Sequence, residues 1–429
     1  MLTANIFPSR KVVMYMPHIK PFKAIRPAVE VVEKVAAPPY DVIDSREARE
    51  MVRDNPYSFL RVGRAEVELE PGIDAHDGRV YQRARENFRR MLATGVLIPD
   101  QKENFYIYRL SRGEQAQTGL VACVSVDDYL NNIIKKHEHT RPDKEQDRAA
   151  HIEACNAQTG PIFLTYRHRE DIAGIMKEWM ADTPPLYDFV APDGVGHRAW
   201  LVGDGETLGQ LIAAFGKLKY FYIADGHHRT AAAARVALRR REQDPNYSGG
   251  EEYNYFLSVL FPHTELMIMD YNRVVADLKG LSPAAFREKI AKKFTVELSP
   301  GQGPYRPHKK GTFGMYLGGA WYRLQAKAEI LASSDPIGSL DVSLLQDNIL
   351  GPILGIEDPR TDDRIDFVGG SRGLEELAGR VNGGMAVAFA LYPTSITDVM
   401  GAADLGLVMP PKSTWFEPKL LSGLFIHSL

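Results

Sequence analysis

The sequence predicts a mixed α/β fold of the α+β kind, and three observations support this prediction. Apolar runs with the composition of buried strands recur along the chain, the clearest at 220–224, 253–261 and 385–392. Runs with helical spacing or high alanine content stand between them, such as 80–93 and 230–238. The 429 residues also exceed what one hydrophobic core usually organises, so two or three domains are expected.

The composition is that of an ordinary globular protein, with 44% hydrophobic residues, 25% charged residues and a formal net charge of -3. This balance argues against a disordered chain and against nucleic acid as a partner. No apolar run approaches the ~20 residues that span a bilayer, so no membrane partner is predicted. Cys123 and Cys155 have no metal-type spacing and are expected to be core residues in a reducing compartment. We therefore predict a soluble, cytoplasmic protein, and we interpret the residues before Met16 as a frayed or misplaced start.

The elements before residue 280 are predicted from hydrophobic period, capping residues and turn residues. Asp44 is the expected N-cap of a helix that runs through Val52, and the strands at 105–110 and 120–126 are expected to form a hairpin. Other extended segments are predicted at 21–27, 37–43, 160–166, 200–202, 220–224, 253–261 and 266–269, and other helices at 80–93, 144–154, 171–180, 208–215 and 230–238.

A domain boundary is predicted near residue 280, where a linker-like turn precedes a new helix. Ser282 is its expected N-cap and Pro283 its first residue, with the helix running to Phe294. Strands are then predicted at 312–317, 320–326, 362–370 and 385–392, and a helix at 340–350. The predicted domains are therefore 16–280, a phosphate-binding core with an N-terminal extension, and 281–429, a C-terminal α/β domain that contributes a loop to the site.

The segment Asp225-Gly226-His227-His228-Arg229 is the strongest candidate for chemistry. It lies between a predicted buried strand and an alanine-rich helix, where backbone N–H groups at the helix N-terminus are free to bind an anion. Gly226 permits a sharp turn, and His227, His228 and Arg229 add up to three positive donors. Phosphate is the anion that best suits this arrangement. The competing interpretation makes Asp225 a helix N-cap and the histidines solvated residues, and we favour the phosphate site.

A second polar segment, 135–148, contains a candidate general base. Glu138 lies between His137 and His139 in a segment rich in cations, which makes it the best such candidate before Asp225. Thr140 and Arg141 follow in a loop. No third strong ligand stands at a recognisable spacing from the two histidines, so metal ligation by histidine is not predicted. For the helix that follows, a solvated charged face is the favoured interpretation.

Two proline-framed loops could also belong to a site. Tyr40 and Asp41 follow Pro38-Pro39 and could line a site or anchor a loop. Lys412, Ser413 and Thr414 follow Pro410-Pro411, and lysine and hydroxyl groups suit phosphate but are also common on surfaces. Both interpretations stay open for each loop. The chain has neither a G-x-x-x-x-G-K-[ST] loop nor a G-x-G-x-x-G turn after a strand, so the familiar nucleotide-binding motifs are absent.

These motifs together resemble two groups of proteins. Ile223-Ala224-Asp225-Gly226-His227-His228-Arg229 is similar to the signature of the free L-serine kinases, which belong to the ParB/sulfiredoxin-like superfamily. The chain from about Met16 onward looks like a large bacterial and archaeal family known as domain of unknown function 1015. Its marks here are Pro38-Pro39-Tyr40-Asp41-Val42, His137-Glu138-His139-Thr140, the Asp-Gly-His-His-Arg turn and Pro411-Lys412-Ser413-Thr414.

The resemblance implies a ParB/sulfiredoxin-like core and a kinase that transfers a phosphoryl group to the hydroxyl of free L-serine. It implies ATP, ADP or pyrophosphate as donor, together with Mg²⁺. By matching motif, the functional carboxylates are Glu138 and Asp225, with Asp225 orienting the nucleophile or the metal. The implied phosphate contacts are Gly226, His227, His228, Arg229, Lys412, Ser413 and Thr414, with weaker substrate candidates at Tyr40, Asp41, His137, Thr140 and Arg141.

The superfamily also implies two rival functions. A ParB-like nucleotide-binding switch is the main alternative, although such proteins add a basic DNA-binding face that this composition does not suggest. A sulfiredoxin-like redox enzyme needs a reactive cysteine at the phosphate turn, where this chain has histidine. The kinase is therefore the favoured prediction, and the oligomeric state is left open.

Overall fold

The computed structural model describes residues 16–301, 303–332 and 335–429, so the predicted frayed start at 1–15 lies outside the described residues. The described chain contains several β-sheets and many helices. The predicted mixed α+β fold class is therefore confirmed.

The strands of the described chain are numbered here in chain order. They are Ile19–Lys20 (β1), Ala24–Pro27 (β2), Leu97–Pro99 (β3), Phe105–Arg112 (β4), Gln115–Ser125 (β5), Ile134–Lys135 (β6), Ala157–Gln158 (β7), Ile162–Tyr166 (β8), Tyr187–Val190 (β9), Gly196–Val202 (β10), Phe221–Asp225 (β11), Tyr255–Pro262 (β12), Met267–Met269 (β13), Tyr271–Val275 (β14), Phe294–Leu298 (β15), Thr312–Leu317 (β16), Ala320–Ala326 (β17), Ile365–Gly369 (β18), Val387–Ala390 (β19), Trp415–Glu417 (β20) and Ile426–Ser428 (β21).

The α-helices are numbered in the same way. They are Val32–Val35 (α1), Ser45–Val52 (α2), Leu60–Gly63 (α3), Gly78–Ala93 (α4), Val126–Leu130 (α5), Pro142–Cys155 (α6), Glu170–Asp182 (α7), Gly205–Phe215 (α8), His227–Gln243 (α9), Pro283–Ile290 (α10), Ala328–Leu331 (α11), Asp341–Leu345 (α12), Glu375–Asn382 (α13) and Ile396–Asp404 (α14).

A nine-stranded sheet forms the largest layer, in the order β6-β11-β8-β12-β5-β4-β10-β9, with β1 added beside β5. The predicted hairpin is confirmed as β4 and β5. Both faces of the sheet are covered. In β5, Leu120, Ala122 and Val124 pack into one core cluster, while Val121 and Cys123 pack into another. Alternate side chains of a strand point to opposite faces, so this division explains why the strand is a continuous apolar run.

A six-stranded antiparallel sheet, in the order β15-β17-β16-β19-β14-β18, forms a second layer with its own cores. The chain then returns to pack against the first sheet through Phe416, Leu420 and Phe425. There β20 pairs with β13 in a two-stranded sheet, and β21 joins a four-stranded sheet in the order β3-β2-β21-β7. The C-terminal segment therefore crosses from the second layer back to the first, which places residues 409–419 between them.

Several local predictions are confirmed. Asp44 caps α2 with a full capping box, and Ser282 caps α10 with Pro283 as its first residue. Cys123 and Cys155 are buried and free, as expected of core residues.

Two local predictions are wrong in extent, and one predicted helix changes type along its length. Helix α10 ends at Ile290, because the buried Phe294 instead opens strand β15. The predicted helix 340–350 is α12 followed by a wider π-type turn at Gln346–Leu350. The segment 37–43 is extended only to Pro39, because the Val42 N–H donates to the Pro39 carbonyl at 3.3 Å and closes a turn.

The predicted domain boundary near residue 280 stays a prediction. Strand β14 already belongs to the six-stranded sheet, so we propose a division that follows the sheets. One unit would contain 16–270 and 415–429, and the other 271–414. No helix in the described part of the chain combines the length and the apolar character that crossing a bilayer requires.

Candidate functional site

The candidate site lies at one edge of the nine-stranded sheet, where two parallel strands end side by side. Strand β6 pairs with β11 in parallel, with Phe221 opposite Ile134 and Tyr222 opposite Lys135. Parallel strands have their carboxyl ends at the same edge, and ligands bind outside such ends. His137 and Glu138 follow β6, and Asp225 ends β11. The topology therefore brings together two segments that stand almost ninety residues apart in the sequence.

The turn between β11 and α9 leaves the helix N-terminus open. Gly226 has φ 95°, a left-handed conformation that side chains rarely adopt. It occupies the N-cap position, and among the described residues no side chain caps the helix. Asp225 Oδ1 instead accepts the Gly226 N–H at 2.8 Å. The interpretation of Asp225 as the N-cap is therefore wrong, and the first N–H groups of α9 remain available to an anion.

Asp225 forms an ion pair with a residue from the far end of the chain. Lys419 Nζ lies 2.9 Å from Asp225 Oδ2. The Asp225 side chain is 41% exposed and lines the cleft. Burial acts to raise its pKa, and the charge and hydrogen bond of Lys419, together with Arg229, outweigh that effect and hold the pKa below the usual range. Asp225 is therefore ionised at neutral pH.

Glu138 has the electrostatic character of a general base. Burial raises its pKa above the usual range, and the positive charge of Lys412 opposes the shift. Its Oε2 lies 4.0 Å from Nδ1 of His227. A raised pKa makes the carboxylate a better proton acceptor near neutral pH.

The histidines of the site are neutral, in contrast to the positive donors that the sequence predicts. Burial lowers the pKa of His137 to about 4 and that of His227 well below its usual value. Burial and the charge of Lys412 lower the pKa of His228. The Nε2 atom of His228 accepts the Arg141 N–H at 3.1 Å, which leaves its Nδ1 as the donor.

Arg229 joins the turn to the Tyr40 loop. It donates to the Pro161 carbonyl at 3.0 Å, lies 3.6 Å from Asp41 Oδ1 and stands over the Tyr40 ring at 5.4 Å. Arg148 of α6 stands over the same ring at 3.9 Å. Two cations therefore hold the Tyr40 ring. Tyr40 also lines the cleft, so its loop is both anchored and part of the cleft wall.

The C-terminal loop, residues 409–419, forms the opposite wall of the cleft. The Met409 N–H donates to the His137 carbonyl at 2.8 Å, and Arg273 donates to the Lys412 carbonyl at 2.9 Å. These contacts fix Lys412 in a positive-φ conformation, φ 57°. The Ser413 hydroxyl is used internally, because it donates to the Pro410 carbonyl at 2.6 Å.

Two cavities share a boundary in this cleft. A cavity of about 460 Å³ is lined by aromatic rings and by charged side chains of both signs, among them the ion pairs Arg64–Glu66 and Arg148–Asp147 and the cations Arg141 and Lys412. A cavity of about 90 Å³ lies beside it. The lining of the smaller cavity comes from five parts of the chain and consists of Asp41, Val42, Glu138, Ala224, Asp225, Tyr271, Lys412, Thr414, Trp415, Phe416 and Lys419. Asp41, Glu138 and Lys412 line both cavities.

The remaining predicted residues lie around this centre. Thr140 donates to Glu145 of α6, and the Arg141 guanidinium pairs with Asp143 at 2.9 Å. Arg141 also lines the larger cavity, and Thr414 lines the smaller one. The Thr140 and Ser413 hydroxyls are engaged in local hydrogen bonds. The predicted candidates that line the two cavities are Tyr40, Asp41, Glu138, Arg141, Asp225, His228, Lys412 and Thr414.

The comparisons with known proteins agree with the family resemblance. A protein-family profile described as "Protein of unknown function (DUF1015)" matches residues 19–343. The chain belongs to this family. No protein with a curated description matches the sequence.

Three solved structures are partly similar to this DUF1015 chain. A free serine kinase in complex with AMP is 13% identical, with 69% of this chain and 86% of that chain covered and a TM-score of 0.34. SbnI with a C-terminal truncation from Staphylococcus aureus is 12% identical, with 70% and 85% covered and a TM-score of 0.39. A conserved hypothetical protein from Pyrococcus furiosus is 13% identical, with 70% and 94% covered and a TM-score of 0.34. At these TM-scores the likeness is limited.

The sequence analysis missed several lining residues of this DUF1015 site. Lys419 was part of a proline-framed segment, but nothing near it in sequence indicates that it reaches Asp225. Arg64, directly after α3, and Arg148 of α6 line the larger cavity, although Arg148 stands in a helix that we interpreted as a solvated face. For Arg148 the available signal was its position three residues before His151 on one face of the helix.

Proposed function

We propose that this chain is a small-molecule kinase that transfers a phosphoryl group from ATP, ADP or pyrophosphate to the hydroxyl of free L-serine. The observation that carries the proposal is the meeting of two cavities of unequal size at Glu138 and Lys412. One has the size of a nucleotide site, and the other has the size of a single amino acid. The base Glu138 and the cation Lys412 line both cavities at the place where the cavities adjoin.

The larger cavity suits a phosphorylated donor. Its volume of about 460 Å³ is typical of small-molecule sites. Arg64, Arg148 and Lys412 supply positive charge along it, and the open N-terminus of α9 supplies N–H groups. Phosphoryl transfer requires positioning and charge neutralisation more than covalent chemistry, and this wall provides both.

The smaller cavity suits a zwitterionic amino acid. Asp41 supplies negative charge for an ammonium group, and Lys419 supplies positive charge for a carboxylate. The cavity of about 90 Å³ excludes large acceptors. The choice of serine among small hydroxy amino acids comes from the sequence resemblance, not from the shape of the cavity.

The proposed chemical step uses Glu138 as the base. Its carboxylate accepts the proton of the serine hydroxyl while the hydroxyl oxygen forms a bond to the terminal phosphorus of the donor. The bond from that phosphorus to the bridging oxygen breaks, and ADP, AMP or phosphate leaves with the bonding electron pair when the donor is ATP, ADP or pyrophosphate. Lys412 lies where it neutralises charge on the transferred group.

The residues present also fit Mg²⁺, which the resemblance implies. Mg²⁺ in proteins is bound by one or two carboxylates together with substrate phosphates. Asp225 is ionised and partly open to the cleft. Its carboxylate would hold the ion together with the donor phosphates, and the chemistry of the ion there is neutralisation of donor phosphate charge. Lys419 already partners Asp225 Oδ2, so the ion would share that carboxylate.

The direct test is incubation of the purified chain with L-serine and, in separate reactions, ATP, ADP or pyrophosphate, followed by ³¹P NMR. O-phospho-L-serine is expected with at least one donor, and L-threonine and L-homoserine in parallel define acceptor selectivity. Donor binding without product from any acceptor would contradict the kinase and favour the nucleotide-binding switch.

A matched pair of variants separates this activity from a contaminating kinase. Asp225→Asn removes the carboxylate that pairs with Lys419 inside the cleft, so product formation should fall sharply. Asp171→Asn removes a carboxylate that pairs with Lys217 at 3.1 Å on the surface, so product formation should be retained. Equal activity in the two variants would assign the product to a contaminant.

A further inference from the structure

Behind the cleft, two histidines and one carboxylate converge in a way that phosphoryl transfer does not require. His137 follows β6. His227 opens α9, the helix that follows the adjacent strand β11. Their rings meet edge to face, with centroids 4.4 Å apart and an interplanar angle of 90°. Glu138 lies beside them, with Oε2 4.0 Å from His227 Nδ1.

The polar atoms of this cluster lack the partners that burial normally demands. His137 is 2% exposed and His227 is 6% exposed. Neither ring nitrogen of His137, nor Nε2 of His227, has a partner with full hydrogen-bond geometry among the residues that the structure describes, although the Ile223 backbone lies close to the His137 ring. Buried polar groups are almost always paired, so these nitrogens together indicate a partner outside the polypeptide.

A cation fits these atoms better than a water molecule or an anion. One ligand atom from each of His137, Glu138 and His227 lies within 4.8 Å of the others. Ligand bonds of about 2.0–2.2 Å place tetrahedral donors about 3.3–3.6 Å apart, so a pair at the 4.8 Å limit needs to close by about 1.2–1.5 Å.

We propose that His137, Glu138 and His227 bind a divalent first-row transition metal ion, such as Zn²⁺, with at least one further coordination position left for solvent or substrate. Two imidazoles and one carboxylate are a ligand set for Zn²⁺ and its neighbours in the first row. Mg²⁺ prefers oxygen ligands, so this site is distinct in chemistry from the Asp225 carboxylate.

The inference goes beyond the proposed kinase and does not depend on it, because binding is measured without any phosphoryl donor. In the metal-bound form Glu138 would serve as a ligand. Its carboxylate would then not be free to act as the base. Chelator-treated protein that makes phosphoserine, and still binds Zn²⁺ when donor is absent, is consistent with both proposals.

The test is isothermal titration of the chelator-treated full chain with Zn²⁺ and, separately, Mg²⁺, with Co²⁺ absorption spectra to report coordination. We expect one Zn²⁺ per chain, weaker binding of Mg²⁺, and a Co²⁺ spectrum typical of nitrogen ligation. His137→Ala and His227→Ala should each weaken Zn²⁺ binding by more than about tenfold, because loss even of a group that only supports a ligand weakens metal sites by about 10- to 100-fold.

His139→Ala is the matched control, because His139 is an exposed histidine in the same segment and its loss should leave Zn²⁺ binding unchanged. Circular dichroism establishes that each variant is folded. The wild-type chain supplies a readout that needs no variant, since ¹⁵N NMR should show two histidine rings shifting on addition of Zn²⁺. Absence of stoichiometric Zn²⁺ binding, or equal effects of His139→Ala and His137→Ala, would overturn the proposal.

Discussion

The two walls of the cleft are built in different ways. One wall comes from the large sheet, where Glu138 and the turn at 225–229 follow two adjacent parallel strands. The other wall is the C-terminal loop, 409–419, which has little regular structure and is held by hydrogen bonds to His137 and Arg273. The first wall is placed by strand pairing, and the second by contacts between residues that lie far apart in sequence.

The walls are also complementary in charge. The sheet wall supplies the carboxylates of Glu138 and Asp225, while the loop supplies the ammonium groups of Lys412 and Lys419. Burial acts to lower the pKa of both lysines, but the nearby negative groups more than compensate, and the pKa of each is raised. The carboxylates of one wall therefore keep the lysines of the other wall charged. This implies that both walls are needed for activity.

Among changes to the loop wall, the strongest expected effect comes from Lys419→Met. Loss of the ammonium group removes the partner of Asp225 at 2.9 Å, and hydrogen bonds to charged groups contribute about 1.5–3 kcal/mol, so kcat/KM should fall by about 10- to 150-fold. Lys217→Met is the control, because Lys217 pairs with Asp171 in the same way outside the cleft. Steady-state kinetics check this, and equal losses in both variants would mean that the Asp225 pair has no special role.

Lys412→Met should have the next largest effect. Lys412 lines both cavities, and loss of one charge-assisted contact should raise the KM for the donor by about tenfold. The apparent affinity for serine should change less. Titration of each substrate at saturating concentration of the other measures the two KM values, and an unchanged donor KM would remove Lys412 from the donor site.

The pH profile of the same variant reports on Glu138. The base must be ionised, so activity should be present above the pKa of Glu138 and lost as the pH falls through it. Burial raises this pKa and Lys412 opposes the shift. The acid limb of kcat/KM should therefore lie above the ordinary glutamate range, and it should move to still higher pH in Lys412→Met. A shift to lower pH would contradict the coupling.

The smallest effect is expected for Ser413→Ala. The hydroxyl donates to the Pro410 carbonyl within the loop, so its removal should change kcat/KM by less than about twofold when the loop keeps its shape. The comparison is with Thr414→Val, since Thr414 lines the smaller cavity. A large kinetic loss for Ser413→Ala alone would show that Ser413 contacts phosphate, as the sequence resemblance implies.

The sheet wall could largely be predicted from the sequence. An apolar strand, a glycine and an alanine-rich helix occur in sequence around Asp225, so local rules predict an open helix N-terminus there. The neutral state of His227 could not be predicted, because it depends on burial against His137 after β6 and β11 pair.

The loop wall could be recognised in the sequence, but its position in the fold could not be predicted. Prolines and lysines mark 409–419 as a loop, but the contact between Lys419 and Asp225 joins residues 194 positions apart. No local pattern encodes such a pairing. The end of α10 at Ile290 was missed for a related reason, because Phe294 belongs to strand β15, which pairs with β17.

The most direct test of the account is the effect of Glu138→Gln on turnover and on donor binding, measured on the same preparation. The amide keeps the shape of the side chain but accepts no proton, so kcat should fall by about 10²- to 10⁴-fold while the donor Kd stays the same. Glu265→Gln is the matched control, because burial also raises the pKa of Glu265 outside the cleft, where it accepts the Thr118 N–H at 2.6 Å. A folded Glu138→Gln protein with full kinase activity would contradict the account.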